Sequence, residues 1–141
     1  MDFVALCEQL NLDKLTEQPI RLYGGLMHKM YRIVTEGGVY AVKYLNPHVM
    51  ARPTAAANFA AAEELERKLE GTDLPLLPAL TIGGCKMQHV EGVCCYVFPY
   101  FEGKALTEGE ITPAHCAIVG GLLAQLHAVE RKTAPIQRDN L

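Results

Sequence analysis

The feature that most restricts the fold is a block of short apolar segments between residues 20 and 45, interrupted by two pairs of glycines. The three segments are residues 20–23, 30–35 and 39–45. They are rich in the β-branched and aromatic residues that strands favour. Gly24-Gly25 and Gly37-Gly38 can take the positive φ that a hairpin loop requires. This block therefore predicts three consecutive antiparallel strands.

Helical patterns lie on both sides of this block. Residues 2–10 place apolar side chains at helical spacing behind Asp2, which is a suitable N-cap. Residues 58–70 have the Ala, Glu and Leu content of a strong helix former. Thr54 can cap an earlier start of this second helix, and Gly71 is a natural stop.

The remaining segments predict a second group of strands and a final helix. Residues 80–82 and 86–90 flank Gly83-Gly84, a further hairpin signal, and residues 93–98 form a continuous apolar run, as expected of a strand covered on both faces. Residues 113–130 carry apolar side chains at helical spacing, behind a Thr that can act as N-cap. We therefore expect an α+β fold and not a doubly wound one. Its five-stranded antiparallel sheet would contain an inserted helix, be preceded by a short helix, and be followed by a hinge and one helix.

Composition excludes several classes of function. The chain has 141 residues, enough for one domain with its own core. With 13 basic and 16 acidic residues its formal charge is −3, which argues against nucleic acid and a membrane surface as partners. No apolar run approaches the ~20 residues of a membrane span, and the amino terminus lacks the basic region of a secretory signal. An odd number of cysteines without a CxxC spacing predicts packing residues in a cytoplasmic protein. The cysteines are Cys7, Cys85, Cys94, Cys95 and Cys116.

One charged residue lies inside the third predicted strand. Strand alternation places Ala41 and Lys43 on the same face, and apolar residues flank Lys43 on both sides. An ammonium group buried there would require a partner. A small residue two positions before a lysine suits a nucleotide, with the ring beneath Ala41 and the phosphates at Lys43. The alternative is that Lys43 extends to solvent from an edge strand, and the strand by itself favours that alternative.

The helix predicted after this strand supplies candidate partners for Lys43, because it carries four glutamates. Its apolar stripe allows Glu63 to face the sheet. We therefore predict an ion pair between Lys43 and Glu63, with Glu64 as the second choice, which would hold the lysine in position for a phosphate group. Glu66 and Glu70 are expected on the solvated surface of the helix.

Five segments of the chain form an ordered series. They are GGLMHKMYRI at residues 24–33, YAVK at 40–43, Phe59 with Glu63 and Leu69, VFPYFEGK at 97–104, and GLLAQLH at 121–127. In this order and spacing they resemble the aminoglycoside phosphotransferase and choline kinase superfamily, which are small-molecule kinases of protein-kinase-like fold. The resemblance runs from about residue 18 to residue 129. It implies that ATP is bound and that its phosphoryl group is transferred to a hydroxyl of a small molecule.

The resemblance also implies roles for individual residues in the nucleotide site. Lys43 matches the lysine that holds the α- and β-phosphates, and Glu63 matches its helix partner. Residues 22–33, which include Gly24 and Gly25, match the loop that covers the nucleotide and its strands.

A further part of the resemblance concerns the hinge and the helix that follows it. The backbone of the hinge hydrogen-bonds the adenine edge in this superfamily. The matching residues are Phe98, Pro99, Tyr100 and Phe101. The last predicted helix matches the first helix after the hinge, and the position of His127 in its LAQLH stretch implies a structural role.

The groups that complete phosphoryl transfer in this superfamily are expected outside this sequence. There, a His-x-Asp motif with a later Asn orients the attacking hydroxyl, and another Asp binds Mg²⁺. No histidine here is followed by an aspartate two positions on. We therefore expect the N-terminal lobe of a longer enzyme, with the catalytic Asp and the Mg²⁺ ligands in a C-terminal lobe. Alone, this chain would bind ATP weakly and show no kinase activity.

Three parts are predicted along the chain. Residues 1–98 form a kinase-like nucleotide-binding lobe, residues 99–110 a hinge or linker, and residues 111–141 the first helix of the C-terminal lobe. The apolar stripe of the helix at 113–130 would pack on that lobe. Here we expect it to be exposed or to be covered by another copy in a homodimer.

Two other functions stay open at this stage. One is a catalytically inactive interaction or regulatory module that has kept the kinase-lobe fold. The other is a general α+β binding domain with no link to nucleotides. The acceptor of a kinase also stays open, among aminoglycosides, choline or ethanolamine, homoserine, methylthioribose and fructosamine.

Overall fold

A five-stranded antiparallel sheet forms the centre of the computed structural model, which describes residues 2–129. The strands are β1 (Ile20–Leu22), β2 (Lys29–Thr35), β3 (Gly38–Tyr44), β4 (Gln88–Val90) and β5 (Val93–Pro99). Their order in the sheet is β1-β2-β3-β5-β4, so β3 is central and pairs with β2 on one side and β5 on the other. The α+β prediction with a five-stranded antiparallel sheet is confirmed.

The described residues also form four α-helices and one 3₁₀ turn. They are α1 (Phe3–Leu10), α2 (Pro47–Met50), α3 (Ala55–Leu69), the 3₁₀ turn Glu108–Glu110, and α4 (Pro113–Ala128). α1 begins where Asp2 Oδ1 accepts a hydrogen bond from the N–H of Val4 at 2.8 Å. α4 begins where the N–H of His115 donates to Thr112 Oγ1 at 3.3 Å. Both predicted N-caps are confirmed, while residues 130–141 of the predicted C-terminal part lie outside the described residues.

α2 is a single turn that the sequence pattern does not predict. Asn46-Pro47 indicates only the end of a strand, but Asn46 Oδ1 also accepts a hydrogen bond from the N–H of His48 at 3.0 Å. With Pro47 in the first turn, this cap starts a short helix where a loop was expected. α3 begins at Ala55, which is the earlier start that Thr54 allows.

The predicted hairpin around Gly83-Gly84 is reduced to a turn. Within the described chain, residues 80–82 form no strand, and Ile82 and Cys85 make only an isolated bridge. The side-chain amide of Gln88 donates to the carbonyl oxygens of Ile82 at 3.1 Å and Cys85 at 2.6 Å. The Gln88 side chain thus satisfies two carbonyls of the turn, and the segment keeps one contact with a strand, from the N–H of Leu80 to the carbonyl of Val97 at 2.7 Å.

Helices cover both faces of the sheet, in agreement with the alternation of its side chains. α1 packs on one face and contributes three of the nine residues of the larger core, and Leu12, which follows the helix, adds a fourth. Those nine are Leu6, Cys7, Leu10, Leu12, Ile33, Val42, Val90, Cys95 and Val97. On the opposite face Leu45, Ala79 and Tyr96 form a smaller cluster, against which Phe59 of α3 packs. The candidate site lies on this second face.

The cysteines follow the predicted pattern only in part. Cys95 belongs to the core beneath α1 and Cys94 to the cluster on the other face, as alternation predicts. Burial, with a smaller contribution from Cys94, raises the pKa of the Cys95 thiol to about 11. The expectation that all five are packing residues is wrong for Cys85 and Cys116. Both are exposed, because one lies in the turn after Gly83-Gly84 and the other on α4.

α4 carries apolar side chains that nothing in residues 2–129 covers. Ile118 is 62% exposed and Leu123 is 47% exposed. Of the predicted apolar stripe only Ile118 is exposed, whereas Leu122 and Leu126 are half-buried and line a cavity with the segment at 74–76, so the expectation of an exposed stripe holds only in part. No helix within residues 2–129 combines the length and the apolar character that crossing a bilayer requires.

Candidate functional site

A cavity of about 720 Å³ lies on the face of the sheet opposite α1, beneath the loop that joins β1 to β2. Its lining residues are Gly24, Gly25, Leu26, Met27, His28, Met30, Ala41, Lys43, Leu77 and Phe98. Five residues that the sequence predicts for a nucleotide site are among them. These are Gly24, Gly25, Ala41, Lys43 and Phe98.

Strand register explains why these residues meet. Ala41 of β3 is paired with Phe98 of β5, and Lys43 is paired with Met30 of β2, so all four side chains stand on one face. Between them, Val42 is fully buried on the other face, beneath α1. The predicted facing of Ala41 and Lys43 is therefore confirmed.

The loop above the cavity depends on a glycine. Gly24 has a φ of +131°, a conformation that residues with a side chain rarely adopt. No atom lies within 4 Å of the position that a Cβ would occupy there. Backbone conformation rather than space therefore explains the glycine, and it allows the chain to turn from β1 over the cavity.

Glu63 lies near Lys43 but is not paired with it. The two side chains border a smaller cavity of about 130 Å³, which also shares Phe98 with the larger one. Glu63 accepts a hydrogen bond from the hydroxyl of Tyr96 at 2.8 Å and forms an ion pair with Arg67 at 3.2 Å. Within residues 2–129, Lys43 forms no ion pair. The predicted Lys43–Glu63 pair is therefore wrong for this conformation.

Glu63 is not paired with Lys43 because its carboxylate is bound by Tyr96, the neighbour of Lys43 on β5, and by Arg67. Tyr96 is the strand partner of Lys43, so its side chain lies beside the lysine, and its hydroxyl contacts Glu63 of α3. Arg67 is one helical turn from Glu63 and holds its other carboxylate oxygen. The second choice, Glu64, pairs with Lys68 at 2.7 Å, again one turn along α3.

The hydroxyl of Tyr96 is expected to remain protonated at a pH at which exposed tyrosines ionise. Burial, and then the hydrogen bond and the charge of Glu63, raise its pKa well above the ordinary value of about 10. A raised tyrosine pKa favours the fold below pH ~10, and this contribution is lost as the pH rises through the folded-state pKa. We expect an alkaline ultraviolet titration to show a late phase that Tyr96→Phe removes. Identical late phases in the wild type and Tyr96→Phe would contradict this.

Glu66 and Glu70 lie partly on the solvated surface, as predicted, but both are also bound to a buried lysine that the prediction did not include. Both accept hydrogen bonds from the ammonium of Lys86, whose side chain is only 1% exposed, the Glu66 contact being 2.7 Å. Lys86 also donates to the carbonyl of Ala79 at 3.2 Å, and the N–H of Ala79 donates to Glu66 at 2.7 Å. Burial lowers the pKa of Lys86, but the two carboxylates outweigh it, and the pKa is raised. These contacts attach α3 to the segment before β4.

The hinge residues are only partly directed to the cavity. Phe98 lines it, whereas Pro99 is the last residue of β5 and Phe101 is 72% exposed. The N–H of Tyr100 donates to the carbonyl of Val39 at 3.1 Å, and its ring lies 5.3 Å from the guanidinium of Arg32. The adenine contacts expected of the Pro99, Tyr100 and Phe101 backbone stay a prediction.

Sequence reasoning missed several lining residues, of which His28 has the most chemistry to offer. His28 lies within the predicted covering segment at 22–33, but no individual role is predicted for it, although alternation back from Met30 places it on the face of Lys43. Leu77 comes from the extended segment after α3, which no local pattern directs to the cavity. Among the described residues, no group of three or more His, Cys, Asp or Glu side chains is placed to hold a metal ion.

The antiparallel sheet, the helices α2 and α3 inserted after its central strand, and a lysine beneath a loop with two glycines are features of a kinase-like phosphotransferase fold. A family model described as "Phosphotransferase enzyme family" matches residues 20–140. The chain therefore belongs to this phosphotransferase family, and the resemblance inferred from its ordered segments is confirmed. A search of curated proteins gives no match.

One solved structure supports the same fold. It is the crystal structure, at 2.32 Å resolution, of a "putative aminoglycoside phosphotransferase" from Ralstonia eutropha JMP134. The TM-score is 0.51 and the sequence identity is 19%. The match covers 84% of this chain and 35% of that chain, so this sequence spans about a third of the length of its structural relative.

Proposed function

We propose that this chain is the ATP-binding N-terminal lobe of a small-molecule phosphotransferase. The observation that carries the proposal is the position of Lys43, which lines a cavity whose other lining residues are mainly apolar side chains and glycines. An apolar slot suits an adenine ring, and a cation at one place in it suits the phosphates. Ala41 and Phe98 would contact the ring, and the loop at Gly24 and Gly25 would cover the nucleotide.

The reaction we propose is transfer of the γ-phosphoryl group of ATP to a hydroxyl of an aminoglycoside-, choline- or homoserine-like acceptor. In it, Lys43 would neutralise charge on the α- and β-phosphates, and Glu63 would help to position the lysine. Mg²⁺ would supply positive charge that stabilises the phosphates, and its ligands, like the catalytic aspartate, would come from a C-terminal lobe. Residues 1–98 would then be the nucleotide lobe, residues 99–110 the hinge, and residues 111–141 the start of the second lobe. This chain alone would be inactive.

Lys43→Ala is expected to weaken the binding of ADP by roughly 10- to 100-fold, because a hydrogen bond to a charged group contributes about 1.5–3 kcal/mol. The binding of adenosine should not change, since the ring contacts remain. NMR titration of the wild type and the variant with both ligands measures this, even where binding is weak. Thermal stability should be nearly unchanged, because Lys43 makes no ion pair within residues 2–129.

Lys14→Ala is the matched control for this titration. Lys14 is exposed and borders a different cavity, next to the end of α1. Its removal changes the net charge equally and should leave ADP binding unaffected. Equal affinity of the wild type and Lys43→Ala for ADP, or the absence of any preference for purines, would contradict the proposal and favour a binding domain without a nucleotide.

A catalytically inactive interaction module is the second candidate. Two observations favour it: Glu63 is engaged by Tyr96 and Arg67 instead of Lys43, and α4 presents exposed apolar side chains. Such a face would fit a partner protein or a second copy of the chain, whereas the phosphotransferase would cover it with its own second lobe. The open reading frame distinguishes the two, since only the phosphotransferase requires a lobe that bears the catalytic and metal-binding carboxylates.

A further inference from the structure

His28 enters the cavity from the end of the covering loop, immediately before β2. Of the ten residues that line this cavity, only His28 and Lys43 have polar side chains. No carboxylate lines it. The two polar groups are therefore the features of the cavity suited to an anion, and the rest of its lining suits an apolar ring.

One ring nitrogen of His28 is already occupied by the protein. The backbone N–H of Asn46 donates to His28 Nδ1 at 3.1 Å. Because Nδ1 accepts, the neutral ring carries its proton on Nε2, which is then a donor. Nε2 makes no hydrogen bond to any group within residues 2–129. The ring also packs against Phe59, with 6.3 Å between the ring centroids, which restricts its orientation.

The surroundings of His28 favour the neutral form of its ring. Burial, and then the positive charge of Lys43, lower the pKa of His28 below its ordinary value. The carboxylates on this side of the sheet, Glu63 and Glu66, line the neighbouring smaller cavity instead. Both are engaged by other partners, Tyr96 and Lys86 among them. A neutral imidazole that donates from Nε2 and lies beside an ammonium is suited to bind an oxyanion.

We propose that His28 is a second phosphate-binding side chain of this site, donating its Nε2–H to a phosphate oxygen of the nucleotide that Lys43 holds. The inference rests on the proposed function, because it needs a nucleotide in the cavity. The inference gives an individual role to a residue that the sequence places only within the covering segment at 22–33. In this role the hydrogen bond from the N–H of Asn46 to His28 Nδ1 leaves Nε2 as the nitrogen that faces the ligand.

The test compares ADP with adenosine in the wild type, His28→Ala and His28→Asn. We expect both variants to bind ADP roughly tenfold more weakly and to bind adenosine as the wild type does. A residue that only supported the loop would change both affinities together. His48→Ala is the matched control, because His48 lies near the same Asn46 but is exposed and outside the cavity. It should leave both affinities unchanged.

A second measurement does not depend on whether the variants fold. In wild-type protein labelled with ¹⁵N, the Nε2 resonance of His28 is expected to shift when ADP is added and to stay in place with adenosine. Binding of ADP by the wild type with a stationary Nε2 resonance and unaltered His28 variants would overturn this inference alone. Failure of the wild type to bind either ligand would overturn the proposed function, and the role of His28 with it.

Discussion

Replacing Lys86 with methionine is expected to lower the free energy of unfolding by about 3 kcal/mol, measured by urea denaturation. The ammonium of Lys86 is buried and donates to Glu66, Glu70 and the carbonyl of Ala79. Without it, two carboxylates share a partly buried site with no cation between them. Removing one partner of a buried ion pair costs about 3–5 kcal/mol. We expect the lower end, because the Glu66 and Glu70 side chains are 30% and 37% exposed and water can reach them.

Lys68, which lies on α3, provides a matched control for Lys86. Like Lys86, Lys68 pairs with a glutamate of α3, but the side chains of Lys68 and Glu64 are 35% and 49% exposed. Lys68→Met should therefore cost no more than about 1 kcal/mol. Adding Glu66→Gln and Glu70→Gln to Lys86→Met should recover most of the lost stability, since no unpaired charge would remain. Equal stability of Lys86→Met and Lys68→Met would show that this buried triad does not hold α3.

The effect of Lys86→Met should depend on pH in a defined direction. The pKa of Lys86 is raised because the hydrogen bonds with Glu66 and Glu70 outweigh the opposing effect of burial. A lysine whose pKa is raised by folding stabilises the fold fully below its unfolded pKa of about 10.4. That contribution is lost as the pH rises through the folded-state pKa. The stability difference between the wild type and the variant should therefore be constant near neutral pH and decrease above about pH 10.4.

Much of the fold could be predicted because it depends on neighbours in sequence. Alternation in β3 shows that Ala41 and Lys43 share a face and that Val42 points away, and the register confirms this. The caps at Asp2 and Thr112 are also local, since each accepts a hydrogen bond from within three residues. The order of helices and strands follows from the same periodic patterns.

The partners of charged groups could not be predicted in the same way. Lys86 reaches Glu66 only because the chain between them turns back on α3, and no periodic pattern indicates that return. Glu63 is within reach of both Lys43 and Tyr96, and the hydroxyl of Tyr96 is the group that contacts it. The contact of His28 with Asn46 spans 18 residues. In each case the two residues are far apart in sequence, so only the packed structure determines the contact.

α1 shows how a segment outside the family match can still determine stability. The match begins at residue 20, yet α1 and Leu12 supply four of the nine buried residues in the larger core. α1 has only eight residues, too few to be stable as an isolated helix. It forms because Leu6, Cys7 and Leu10 are buried against the sheet. The same contacts shield Val42, whose neighbours Ala41 and Lys43 line the cavity on the other face of the sheet.

Leu6→Ala is therefore expected to lower the free energy of unfolding by about 2–5 kcal/mol, because Leu6 is fully buried and a cavity would remain in its place. Urea denaturation measures the loss, and Val4→Ala is the matched control. Val4 lies on the same helix but is 54% exposed, so its truncation should change stability by less than about 0.5 kcal/mol. Under conditions where Leu6→Ala is folded, its affinity for ADP should equal that of the wild type, since α1 packs on the face opposite Lys43. A loss below about 1 kcal/mol would mean that α1 is not an integral part of the core, and a loss of ADP affinity in the folded variant would mean that the two faces of the sheet are coupled.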